Sequence, residues 1–230
     1  IRTKHFDNLS PKFSNLVAWR GMTPRNELSS SSFWDQINIH LGPHGHVVHY
    51  PISKGKKINF VAVRKQKKWE DESWVSKGNM QELLSVFSSW NENVLELFSK
   101  SDNLHKWGLY ERKPIKSLVK GNLLLMGDAA HPMLPFLAQG SCLAIEDAYS
   151  FSELLKNNKD LKKSLYSYQK LRLKRVNKIQ FRSRIQGYMN HLSNGFLIFL
   201  RNLFLKVFGE SLQTSIHKYD AVNEIKHLPN

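Results

Sequence analysis

The chain has one cysteine, Cys142, so no internal disulfide framework can form. No segment approaches the roughly 18 consecutive apolar residues of a membrane span, and residues 1–10 lack the apolar core of a signal peptide. There is no internal repeat. Acidic side chains are scarce, 19 against 34 Lys and Arg, which leaves a net charge of +15. These absences exclude a transmembrane segment and a stapled secreted scaffold, and make a reducing cytoplasm the expected location. What is present suits an enzyme: 230 residues with 41% hydrophobic content can build one large or two modest domains around real cores. Cys142 reads either as a small packed residue or as a thiol activated near a helix start.

Much of the positive charge lies between Lys156 and Arg184, against a lone Asp160. Leu161, Leu165, Tyr168, Leu171, Arg172, Val176 and Ile179 recur there at near-helical spacing, so the basic residues are expected on a solvated face. Such a run could instead bind nucleic acid or anionic lipid, or steer anionic substrates. It has few interleaved aromatics and no base-reading motif, so nucleic acid is not expected as a partner.

The most informative stretch is Leu123 to Leu155, LLLMGDAAHPMLPFLAQGSCLAIEDAYSFSELL. Leu123 to Met126 is a short apolar run closed by Gly127, which predicts a buried strand of a largely parallel sheet. Asp128 then stands at the strand's carboxyl end, where α/β sheets bind ligands and a carboxylate can accept from sugar-like hydroxyls. Pro132 and Pro135 stiffen the following loop. Gly140 opens a helix whose free N–H groups carry partial positive charge. Ala144, Ala148, Phe151 and Leu155 predict the face that this helix packs on the sheet.

These residues resemble a known family. Gly127-Asp128-Ala129-Ala130-His131-Pro132, with Pro135, Gln139-Gly140 and Glu146-Asp147-Ala148, is similar to the second flavin-contacting motif of class A flavoprotein aromatic monooxygenases, in the salicylate, hydroxybenzoate and hydroxynicotinate hydroxylase branch. Val17 to Gly21, Gly42 to Pro51, Asn59 to Val63 and Trp107 to Pro114 follow that branch's order, as do Ser183-Arg184, Tyr188 to Leu192 and Lys218 to Asp220. The family's N-terminal GxGxxG turn and its internal Asp-Gly motif are not in this sequence, and Ile1-Arg2 resembles the tail of the segment after the latter. The resemblance therefore implies the C-terminal part of a longer protein, with the N-terminal half missing or held on another chain.

The fold implied is mixed α+β and α/β, like para-hydroxybenzoate hydroxylase. It assigns residues 1–16 to the end of a truncated Rossmann-type FAD-binding domain and 17–115 to a β-rich substrate domain with a helix near 79–98. Residues 116–160 return to the FAD-binding domain, and 161–230 form a C-terminal helical region and tail. Within the substrate domain, alternation puts His46, Val48 and Tyr50 on one strand face and Val47 with His49 on the other. His with Tyr can exchange hydrogen bonds or a proton with a substrate phenol; ordinary half-buried strand residues are the plain alternative. Three histidines, His44, His46 and His49, raise a metal site, but no cysteine or acid completes one and no metal is expected. Arg64 is a candidate for a substrate carboxylate, with a solvated turn as the alternative. His131 could pair with Asp128 or simply hold local backbone.

By resemblance, the catalytic residues are His46 and Tyr50, and Val48, Val61, Leu134 and Phe136 line the substrate pocket. FAD would be held by Arg112, Gly127, Asp128, Pro132, Ala138, Gln139 and Gly140. The implied enzyme hydroxylates an aromatic, hydroxylated carboxylic acid with NADH or NADPH and O2 through a flavin C4a-hydroperoxide, and this stretch alone is expected to be inactive. Its partners are then the aromatic substrate, O2 and NAD(P)H; a homodimer is left open. Two other readings stand. The apolar helix Phe196 to Phe208, flanked by Arg201 and Lys206, could dip into a membrane surface, as in a ubiquinone-ring or lipid-directed flavin hydroxylase or epoxidase, or be buried against a partner or the parent domain. A basic helical nucleic-acid-binding module is the non-enzymatic reading.

Overall fold

A computed structural model describes residues 1–69 and 76–227. Its elements in chain order are α1 (Arg2–His5), β1 (Lys12–Pro24), β2 (Asn38–Gly42), β3 (Gly45–Ile52), β4 (Lys57–Lys65), α2 (Met80–Val86), α3 (Glu92–Ser99), β5 (Asp102–Glu111), β6 (Val119–Lys120), β7 (Leu123–Leu124), α4 (Gly127–Ala130), α5 (Gly140–Asn157), α6 (Leu161–Asn190), α7 (Gly195–His217) and α8 (Ala221–Lys226). The last three positions of the expected polar tail, 228–230, lie outside the described residues. The chain divides into two compact units. One comprises residues 13–109 and 190–198, the other residues 1–12, 110–189 and 199–230.

The first unit is built on a five-stranded sheet in the order β2-β3-β4-β1-β5, with β1/β4, β2/β3 and β3/β4 antiparallel. Period-2 alternation sorts its side chains. Val17, Trp19, Val47, Ile58, Phe60 and Ala62 point to one face and form a core with Leu83, Phe87, Val94, Leu97 and Phe98. Gly21 is required there, because a Cβ would lie 2.6 Å from the Phe60 ring. The single helix expected near 79–98 is two. Asn79 caps α2 by accepting from the Glu82 N–H, and Asn91 caps α3 by accepting from the Asn93 N–H. A second N-cap residue inside an apolar-periodic stretch starts a new helix rather than continuing the old one. The inward set Leu83, Phe87, Val94 and Phe98 is nevertheless buried as its spacing requires.

In the second unit, Leu118, Leu125, Leu143, Leu154, Tyr168, Val176 and Ile179 form the core. The expected buried strand of a parallel sheet is instead the two-residue β7, paired antiparallel with β6. Gly121, at φ +58°, makes the tight return between them, and Leu123 is 37% exposed. Among the described residues no helix is long and apolar enough to cross a membrane.

Candidate functional site

In the second unit, the segment singled out by sequence is a turn of helix, a loop and a long helix. Gly127, at φ +54°, begins the single turn α4, a backbone conformation that side chains with a Cβ rarely adopt. A 3₁₀ turn spans Pro135–Leu137, Ala138 is left-handed (φ 52°, ψ 30°), and α5 follows from Gly140. The period expected for α5 is right and its phase is off by one residue. Leu143, Asp147, Ser150 and Leu154 are the buried face, whereas Ala148 and Leu155 are exposed. A carboxylate in the inward stripe hides that phase from an apolar pattern.

Asp147 holds the segment together. Its Oδ2 accepts from the Gly127 N–H at 3.0 Å and from His131 Nε2 at 2.7 Å, and its Oδ1 accepts from Arg172 Nε at 2.8 Å. Burial alone would raise this carboxyl. The hydrogen bonds from His131 and Gly127 and the Arg172 charge outweigh burial and hold it below its ordinary value of 3.8. His131 thus pairs with Asp147 rather than Asp128. Arg172 also reaches Glu146 at 2.7 Å, and Arg175 joins Glu146 at 3.0 Å. The basic run is therefore split: its lysines 162, 163, 170, 174 and 178 are exposed, while Arg172 is fully buried in an ion-pair network. A planar guanidinium suits such a bidentate interior site better than an ammonium.

Helix α6 also grips the loop. Gln180 Nε2 donates to the carbonyls of Pro132, at 2.8 Å, and Arg112, at 3.0 Å. Ser183 Oγ donates to the Leu134 carbonyl. Leu134 is buried, and the Phe136 ring lies where a Cβ on Gly187 would sit, so the latter of these expected pocket residues packs on α6. Arg2 braces the start of the segment from another side, donating to the Ala130 carbonyl at 2.7 Å and the Lys113 carbonyl at 3.0 Å. None of Gln180, Arg2 or Arg172 was singled out as a site residue by sequence. Long-range contacts to backbone carbonyls leave no local pattern.

Two of the residues expected to hold a flavin, Gly140 and Asp128, have surroundings that suit the isoalloxazine and ribityl end. Gln139 provides no side-chain cap for α5, and the first turn carries no acidic residue, so an 18-residue helix presents uncapped N–H groups. A Cβ on Gly140 would meet nothing within 4 Å, which leaves open space beside those donors. Asp128 is exposed, and its carboxylate has no partner among the described residues. Free donors suit an anionic ring edge and a free carboxylate suits sugar-like hydroxyls. Arg112 is partly buried, with Nη1 donating to the Leu9 carbonyl.

In the first unit, strand register puts His46, Val48 and Tyr50 on the sheet face opposite the helices. Val48 pairs with Val61, Tyr50 with Asn59 and His46 with Val63. Tyr50 and Val48 are half-buried, whereas His46 is only 3% exposed. His46 Nδ1 shares a 2.7 Å hydrogen bond with Nε2 of His191, itself 4% exposed, and the two rings stack at 4.9 Å. Burial first, and His191 second, push His46 down to about 3; burial and the charges of Lys65, Arg64 and His44 push His191 to about 4. The pair is neutral near pH 7, a hydrogen-bonding unit rather than a strong base. Sequence missed His191, which stands 145 positions from its partner. Arg64 falls on the other face, in register with Val17 and Gly45 and over the Phe87 ring, with its Nη1 on the Pro43 carbonyl. Strand parity thus removes it from the Tyr50 side. Among the described residues no group of three His, Cys, Asp or Glu could hold a metal ion.

Comparison with known proteins places these features in context. A family model described as an FAD binding domain matches residues 35–183. The chain is 37% identical over 186 residues to the 3-amino-4-hydroxybenzoate 2-monooxygenase PtnB3 of Streptomyces platensis, covering 80% of this chain and 47% of that protein. It is 31% identical over 216 residues to 3-hydroxybenzoate 6-hydroxylase 2 of Aquipseudomonas alcaligenes, covering 94% and 65%. Among solved structures it superposes on a salicylate hydroxylase substrate complex with a TM-score of 0.86 at 29% identity, over 98% of this chain and 59% of that one. The chain spans about half the length of the first of these curated relatives.

Proposed function

Because this chain belongs to the FAD binding domain family, in its class A aromatic-monooxygenase branch, we propose that the protein is an FAD-dependent enzyme that hydroxylates an aromatic acid with NAD(P)H and O2. The observation that carries this reading is the uncapped N-terminus of α5 facing open space at Gly140, joined by the braced 127–139 segment to the free carboxylate of Asp128. FAD, when bound, supplies the redox chemistry that activates O2.

The chain's own residues do the rest. The N–H groups at Gly140 would hold the ring end of the cofactor and favour negative charge there, an effect worth most where water is excluded. Asp128 would accept from the ribityl hydroxyls, and Pro132, Ala138 and Gln139 would shape the floor beside them. Asp147 keeps Gly127 in its left-handed conformation through the N–H bond. On the sheet, Tyr50 hydrogen-bonds the substrate's hydroxyl and Val48 with Val61 receives its ring. His46, held neutral by burial, orients rather than deprotonates. The relatives named for hydroxybenzoates support a substrate of that class.

The test is an assay of the FAD-loaded holoenzyme with NADH or NADPH and, in turn, 3-hydroxybenzoate, 3-amino-4-hydroxybenzoate and salicylate. At least one should stimulate O2-dependent NAD(P)H oxidation and yield a product heavier by one oxygen atom. Absence of stimulation by all three sinks the aromatic-acid reading. A second reading, hydroxylation at a lipid surface, draws on α7, whose Phe196 and Phe199 are 69% and 63% exposed. Flotation with anionic liposomes, and turnover only in their presence, would favour it.

A further inference from the structure

Helix α7 is tied down on one side and apolar on the other. Arg201, only 8% exposed, donates through Nη1 to the Met189 carbonyl at 3.1 Å. Arg182 Nη2 donates to Ser215 Oγ at 2.9 Å and Arg175 Nη2 to the Ile216 carbonyl at 3.3 Å, so both ends of the 201–216 stretch are fixed to α6. On the outer side, Phe199, Leu200, Leu203, Phe204, Val207 and Phe208 are between 41% and 63% exposed. The Phe204 and Phe208 rings already pack together, with centroids 5.3 Å apart. This face is held in place before anything covers it.

Its size suits a protein partner. At about 200 Å² for a whole aromatic side chain and less for an aliphatic one, the exposed parts of these six residues amount to roughly 500 Å². A monomer rarely exposes more than a few hundred Å² of contiguous apolar surface. A standard dimer interface takes about 800 Å² from each partner, of which about 500 Å² is apolar. The spacing is also self-complementary. Positions 199, 200, 203, 204, 207 and 208 read the same in either chain direction. An antiparallel copy centred between Leu203 and Phe204 therefore sets Phe199 against Phe208, Leu200 against Val207 and Leu203 against Phe204. An isologous contact requires that property.

Charge points the same way. The whole sequence carries +15, which makes two copies repel, yet from Phe199 to Phe208 the one exposed charge is Lys206, offset one turn on by Glu210. Arg201 is spent on the Met189 carbonyl and on Asn202 Oδ1, so α7 lacks the cationic rim with which an amphipathic helix holds an anionic membrane.

We propose that this face of α7 is the contact between two copies of this chain, packed antiparallel about a two-fold axis at Leu203 and Phe204. The inference is independent of the substrate, and it gives a protein partner to the helix on which the lipid-surface reading draws.

Sedimentation velocity on the FAD-loaded protein tests it. The wild type should sediment as a dimer. Val207→Glu, which buries two unpaired carboxylates per dimer, should weaken self-association by about 100-fold or more and leave a monomer with unchanged circular dichroism. Register is read by cross-linking in a Cys142→Ser background. Phe199→Cys mixed with Phe208→Cys should form an intermolecular disulfide that neither variant forms alone. A monomeric wild type, a dimer that survives Val207→Glu, a mixture that fails to cross-link or cross-linking of either variant alone overturns the proposal. So does flotation of the wild type with anionic liposomes that Val207→Glu abolishes, which would give the face to lipid.

Discussion

Single residues in this protein act through buried electrostatics. Asp147 accepts three hydrogen bonds and neutralises Arg172 in a place from which water is excluded. Asp147→Asn should cost about 3 kcal/mol, since it removes the fully buried anion of the pair and leaves the Arg172 guanidinium with Glu146 as its carboxylate partner, and chemical denaturation would read this as a lower midpoint. Asp147→Ala, which leaves the Gly127 N–H no acceptor on this side chain, should lower flavin affinity as well. Tyr50→Phe removes only a hydroxyl from the substrate face and should leave stability within about 0.5 kcal/mol. Its kcat should fall by about 10²-fold or more if the phenol exchanges a proton or hydrogen bond with the substrate in the rate-limiting step. Unchanged kcat would remove Tyr50 from the chemistry.

Among the elements, α6 does more than cover the core. Gln180 ties the backbone carbonyls at Arg112 and Pro132 to one helix, and Ser183 ties Leu134. Gln180→Leu should lose both bonds, cost about 1–3 kcal/mol and loosen the 132–134 loop. Hydrogen exchange should show that loop opening sooner, with the centre of α6 unchanged. Much of this architecture is legible in the chain itself. The helical spacing of Leu165, Tyr168, Val176 and Ile179 predicts their burial, the alternation of His46 to Tyr50 predicts their faces, and the break before Gly195 separates α6 from α7. Where reading failed, a polar residue had taken an inward position. Asp147 shifts the apparent phase of α5, and Asn91 splits the helix near 79–98, whereas Arg172, in step with the apolar spacing of its run, is buried as that spacing requires.

At the scale of the whole molecule the two units should respond differently to acid. His46, His49 and His191 all belong to the sheet unit, with values lowered to about 3, 4 and 4 by burial first and by neighbouring positive groups. Their unfolded values lie near 6.5, so below that pH the unfolded state binds protons that the folded state refuses. The stability they permit is complete above pH 6.5 and is lost as pH falls towards 4, by a few kcal/mol in sum. Asp147, in the helical unit, is held below 3.8, so its contribution persists until pH drops under that value. All six tryptophans fall between positions 19 and 107, within residues 13–109. Tryptophan fluorescence should therefore report unfolding between pH 6.5 and 4 while helical circular dichroism persists; coincident transitions would contradict this division.

By itself the sequence determined the family, the strand and helix periods, and the loop from Gly127 to Gly140, because these are written in local spacing and in residue types with special backbone freedom. Tertiary structure alone decided which charged groups are interior and which donors remain unpaired. His191 reaches His46, Arg172 reaches Asp147, and Arg20 rather than Arg64 shares the face of Tyr50. Those outcomes depend on strand register and on contacts between residues dozens of positions apart. A hydrogen bond or an ion pair is satisfied by distance in space and leaves no period in the chain.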